Sequence, residues 1–253
     1  KEINSGCTTF TGTLPNKVSL WRKEELGKVI IHELIHSLEL ESKSILDLYK
    51  YFDIKNNIKI NTFECYVEIL AQLLNLIISS NEMNYNNKKS KKKTKTKNKN
   101  KKKTKSKSKS YNLFLEYLNI ERIWSYFQCA KVLNYFEYKR FEDFYDENGI
   151  NKTDKYNQKS NIFSYIILRS IIYYNLLEFM NILFKYNKDN LLKDNIPDEI
   201  KIKFFINSIK KNKNKYCKII NYFINYIEKI DNKQSNTIIY NSARLSAIET
   251  DIL

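Results

Sequence analysis

Four glycines and two prolines are all that this 253-residue chain has for building tight turns. A many-stranded sandwich or barrel needs a turn former about every 8–12 residues, so that class is excluded. Stripes of Ile, Leu, Phe and Tyr recur instead at helical spacing, and the hydrophobic share of 42% is enough for a real core. The expected fold is mainly α (α+β): a helical body with a small N-terminal β element.

That element is predicted at Cys7–Leu14 and Lys17–Trp21, β-branched and alternating stretches separated by the turn signal Pro15-Asn16. A long helix is expected from Arg22 to Leu40, with Ser19 as N-cap and Glu24 and Glu25 in its first turn, where the helix dipole favours acids. A shorter helix is expected at Ser42–Tyr51, a polar turn-like stretch at Asp53–Asn61 and another helix at Thr62–Ser79. Further helices are expected over 111–119, 121–139, 160–187, 198–211 and 215–230, followed by a final segment 236–253.

Between them lies Asn86–Ser110, built almost entirely from Lys, Thr, Ser and Asn. It has no apolar residue to offset the entropy of ordering, so a disordered loop is expected. The chain thus divides into residues 1–85, a Lys-rich insertion at 86–110, and a helical part of the same domain at 111–253. Of the net charge of +16, 14 positive charges fall in Lys88–Lys109, so the remainder carries +2. The basic character belongs to one stretch and not to the folded surface. As a polyelectrolyte arm, Lys88–Lys109 can make non-specific contact with nucleic acid or an acidic surface, but it lacks the aromatics needed to stack bases.

Cys7, Cys65, Cys129 and Cys217 form no CxxC pair, as expected of reduced thiols in an intracellular, cytoplasmic protein. The chain opens at Lys1 and not Met, which suggests a fragment or processed product and leaves room for an upstream signal. The most apolar stretch, Ile162–Phe184, contains Arg169 and Glu178. Charges at a bilayer centre cost about 2.5–3.5 kcal/mol each, so no transmembrane segment is expected and the stretch reads as a buried helix.

Both histidines of the chain lie in Val29-Ile30-Ile31-His32-Glu33-Leu34-Ile35-His36, an HExxH pattern. On a helix, residues four apart share a face, so His32 and His36 can direct two imidazoles at one metal ion. Glu33 points to a neighbouring face, where it can reach a metal-bound water and take its proton. Two histidines leave a three-ligand site one short, and a carboxylate must complete it. Glu64 and Glu68, four apart on an otherwise apolar helix, are the candidates, and either can face the metal. Glu39 and Glu41 are nearer in sequence but continue the first helix, which would carry them away.

In these motifs the sequence resembles the gluzincins, zinc metallopeptidases with HExxH followed by a glutamate on a second helix. The resemblance covers Val29–Ala71 and implies a zincin-like domain. It makes His32, His36 and Glu64 ligands of Zn2+, Glu33 the catalytic base, and Glu68 the acid that orients His32. Phe63 stands where an Asn often precedes the ligand glutamate, and 27 residues separate His36 from Glu64, longer than in the best-known members. With no third His to stabilise an oxyanion, the chain must use Tyr, Arg or Lys. Tyr240 and Arg244 are candidates, and Arg169 is a comparable one. The expected activity is zinc-dependent hydrolysis of a peptide or protein substrate. The alternative is a catalytically inactive zincin-like scaffold that binds a partner or nucleic acid through the Lys-rich loop.

Overall fold

A computed structural model describes residues 6–12, 16–21, 25–55, 58–91, 99–146, 148, 153–190, 192–231 and 244–248. Strands β1 (Gly6–Thr9) and β2 (Lys17–Leu20) form an antiparallel pair, with Cys7 opposite Ser19 and Thr8 opposite Val18. The helices are α1 (Leu26–Ser37), α2 (Glu64–Lys91), α3 (Lys99–Tyr135), the single turn α4 (Phe141–Phe144), α5 (Arg169–Tyr174), α6 (Leu176–Tyr186) and α7 (Asp198–Asp231). A π-helical turn, Phe163–Leu168, leads into α5. The chain is therefore mainly helical with one small two-stranded sheet, as its scarcity of turn formers dictates.

Burial follows the apolar stripes. Val67, Ile69 and Ala71 of α2, Cys129, Ala130 and Leu133 of α3, Ile167, Leu168 and Ile172 around α5, and Ile220 and Ile224 of α7 are all fully buried in one core. An aromatic layer of Phe52, Phe141, Phe144, Tyr156 and Phe163 closes one side of it, with neighbouring rings 5.0–6.4 Å apart.

Several elements differ from the sequence reading. Ser19 lies within β2 and caps nothing; α1 starts only at Leu26, after Glu25, whose φ of 63° takes the chain into the helix from a left-handed conformation. Ser42–Tyr51 is not helical. The Ser42 hydroxyl bonds that of Ser44, which bonds Asp198, and the Leu46 amide, which a helix would pair internally, donates to Thr62 Oγ1. The two helices expected over 111–139 are one, α3, with no break at Ile120, and the two expected over 198–230 are one, α7, because Asn212, Lys213 and Asn214 do not break a helix already under way. The expected 160–187 helix is instead bent by 96° between Tyr174 and Leu176.

Within the expected Lys-rich loop, α2 runs on to Lys91 and α3 begins at Lys99. Lysine is a good intrinsic helix former, and each run continues a helix anchored in the core. Residues 92–98, the Pro15 turn and most of the final segment lie outside the described residues. Among the described residues no single helix is long and apolar enough to cross a membrane.

The hairpin lies directly on α1. A Cβ added to Gly6 would come within 2.9 Å of both Val29 Cγ1 and Glu33 Oε1. Gly6→Ala must therefore displace the Val29 and Glu33 side chains or the hairpin itself, and is expected to cost about 1–3 kcal/mol in chemical denaturation, the usual range for overpacking.

Candidate metal centre

Helix α1 carries His32 and His36 one turn apart, with their rings 4.9 Å apart and 68° from parallel. The first turn of α2 carries Glu64, whose charge sits at the favourable end of the helix dipole. These three side chains offer atoms that converge. Nε2 of His32 and Nε2 of His36 are 3.1 Å apart, and Glu64 Oε2 lies 3.4 Å from the first and 3.3 Å from the second. His32 and Glu64 are buried and His36 half-buried, and the group could hold a metal ion.

The outer nitrogens are equally well defined. Nδ1 of His32 lies 3.1 Å from Glu68 Oε2, and Nδ1 of His36 lies 2.9 Å from Glu41 Oε1. An ionised carboxylate can only accept, so each Nδ1 donates, and each Nε2 can turn a lone pair toward the shared point. This is the arrangement in which a partner fixes the tautomer and orientation of a metal-binding imidazole.

Glu41 does not travel away along α1. The helix ends at Ser37, Glu39 adopts φ 51°, and the Leu40 amide bonds back to the Ile35 carbonyl at 3.1 Å. This left-handed turn reverses the chain and places Glu41 beside His36, a return that the sequence reading missed because it continued the helix to Leu40.

Glu68 is 1% exposed yet ionised, because cations surround it. Lys28 Nζ lies 2.8 Å and Arg169 NH1 3.2 Å from its Oε1. Burial alone would raise its pKa, but Lys28, His32 and Arg169 hold it well below the carboxylate range. Arg169, named above as an oxyanion candidate, lies against Glu68, and its NH1 also donates to the Leu245 carbonyl at 2.7 Å. Tyr240 lies outside the described residues; the main-chain carbonyl of Arg244 accepts from Trp124 Nε1 at 3.2 Å.

Two further partners of Glu64 come from the segment around the π-turn. Tyr165 OH donates to Glu64 Oε2 at 3.0 Å, and Asn161 Nδ2 donates to Oε1 at 3.4 Å. Among 19 tyrosines, nothing in the sequence singled out Tyr165. Glu33 faces the hairpin: Thr8 Oγ1 lies 2.8 Å from its Oε2 and 3.0 Å from its main-chain carbonyl.

The cluster's titration follows from the same contacts. Burial would lower the His36 pKa, but hydrogen bonds to Glu41 and Glu64 outweigh it and raise the ring to about 10; His32 is raised likewise by Glu64 and Glu68. Burial would raise Glu64, and the two imidazoles bring it to about 2. An entering metal ion must displace ring protons, so its affinity grows with pH.

No protein-family model matches the chain, no curated protein matches it, and no solved structure matches it. The chemistry of the site therefore rests on its geometry, which makes two expectations measurable. In chelator, the raised His36 contributes stability that is complete below its ordinary 6.5 and lost as pH climbs toward about 10. The Tm of the metal-free chain should fall across that window, while the gain on adding zinc grows. In zinc titrations by competition with a chromophoric chelator, Glu64→Gln should nearly eliminate stoichiometric binding. Glu41→Gln, which keeps the shape but removes a charge behind His36, should weaken it about 10–100-fold.

Proposed function

We propose that this chain is a zinc-dependent metallopeptidase of the gluzincin type with a zincin-like helical domain. The observation that carries the proposal is the triangle of Nε2, Nε2 and Oε2 with edges of 3.1–3.4 Å. Three ligands at about 2.0–2.1 Å from one tetrahedral ion would be about 3.3 Å from each other. Two neutral nitrogens and one carboxylate oxygen are a donor set that suits zinc and leaves a fourth position for water.

A bound zinc ion supplies a Lewis acid and brings the pKa of its water to about 7. The residues of the chain do the rest. Glu41 and Glu68 hold the Nδ1 protons of the two imidazoles, so that both rings stay oriented through the reaction. Tyr165 and Asn161 fix the Glu64 carboxylate. Glu33, next to His32 on α1, would turn its carboxylate from Thr8, which holds Oε2, and from Gly6, against which Oε1 packs, to take a proton and return it to the leaving amine. The substrate class is a peptide or protein. An intracellular, cytoplasmic setting is part of the proposal and is supported by the four free thiols.

The bond between Thr8 and Glu33 is also what an inactive scaffold would need to hold that carboxylate permanently away from a water. Glu33→Gln separates the two readings. In an active peptidase the variant should keep one zinc per chain by elemental analysis and lose peptide cleavage by about 10²–10⁴-fold, the usual contribution of a general base. Wild-type protein that holds zinc but cleaves no member of a peptide library would support the scaffold, and wild-type protein that binds no zinc would end the peptidase reading.

A further inference from the structure

Residues 58, 59, 61 and 157–161 line an open cleft of about 400 Å³, within the range of about 300–1,000 Å³ common to ligand sites. It borders the metal group, because Asn161 is both a lining residue and the donor to Glu64 Oε1. Its walls are pinned to each other and to the helix behind. Gln158 Nε2 donates to the Lys59 carbonyl at 3.3 Å, Gln158 Oε1 accepts from the Phe163 amide at 2.8 Å, and the Tyr165 amide donates to the Asn161 carbonyl at 2.9 Å. Such a cleft needs little ordering when a ligand enters.

The lining has a definite chemistry. Asn61 and Asn157 supply amide groups of the kind that pair with an extended peptide backbone, while Gln158 is occupied in holding the walls and Asn161 Nδ2 in holding Glu64. Lys59 and Lys159 are exposed and bring two positive charges, and no Asp or Glu is among the described residues that line the cleft. An apolar side chain would find little to bury it there, and a basic one would be repelled. A carboxylate would gain from both lysines, the more so where the protein restricts solvent.

We propose that this cleft is a substrate subsite that selects peptides bearing Asp or Glu beside the bond to be cut, with Lys59 and Lys159 as the specificity-determining residues. The proposal rests on the peptidase reading for the word substrate, but the recognition itself does not require turnover. Binding is therefore measured with the full chain carrying Glu33→Gln and loaded with zinc. The probes are a fluorescein-labelled hexapeptide with two central glutamates and the same peptide with glutamines, read by anisotropy. The acidic probe should bind roughly three- to tenfold more tightly, as expected for two largely exposed ion pairs, and the preference should fade as salt is raised.

Lys59→Glu with Lys159→Glu, on exposed positions that leave the fold intact, should abolish the preference and favour a probe with two lysines. Equal binding of the acidic and neutral probes, or a preference that survives the double substitution, would overturn the proposal. Parallel digestion by the wild type keeps the two readings apart. Cleavage of neutral and acidic peptides alike would leave the peptidase standing and remove the subsite. Selective binding without any cleavage would keep the cleft's acid preference and remove the peptidase.

Discussion

A carboxylate sealed from water organises this molecule. Glu68 is 1% exposed and meets Lys28 and His32 of α1 and Arg169 of α5. Buried ions of this kind are expensive, and removing one member leaves the others uncompensated at a cost of about 3–5 kcal/mol. The network therefore ties α1, α2 and α5 into one relative placement. His32 stands upright because Glu68 is where it is, and Glu68 stays ionised because Lys28 and Arg169 are there.

The network also reaches the C-terminal part of the chain. Residues 244–248 form no regular element and enter the core through their backbone. Gln72 and Arg169 donate to the Leu245 carbonyl, the Ser246 amide donates to Glu25, and the amides of Ala247 and Ile248 donate to the fully buried Glu121. These bonds pair backbone groups that would otherwise need water. A second layer behind the histidines is thus built from parts of the chain far apart in sequence.

How much of this the sequence disclosed depends on how local the cause was. The HExxH pair was legible because i and i+4 on a helix must share a face, whatever else the chain does. Glu64 and Glu68 were legible as carboxylates that need partners in an apolar helix. The same stripe continues through Gln72, Asn75 and Ser79, all buried, and marks the whole inward polar face of α2. Glu41 was misread because a non-glycine residue in a left-handed conformation, Glu39, reverses the chain, and sequence patterns do not foresee that. Lys28, Tyr165 and Asn161 were invisible because their roles come from tertiary placement alone. The helix expected at Ser42–Tyr51 failed for a related reason: its polar groups are claimed by Thr62 and Asp198, which no local rule connects to them.

The proposed function turns on three atoms, Nε2 of His32, Nε2 of His36 and Oε2 of Glu64, which could hold one metal ion. Zinc K-edge X-ray absorption on the fully loaded chain reads that set directly. The expected shell is two imidazole nitrogens at about 2.0–2.1 Å with two oxygen scatterers, one from Glu64 and one from water. A sulfur scatterer at about 2.3 Å, or a shell with fewer than two imidazoles, would contradict it.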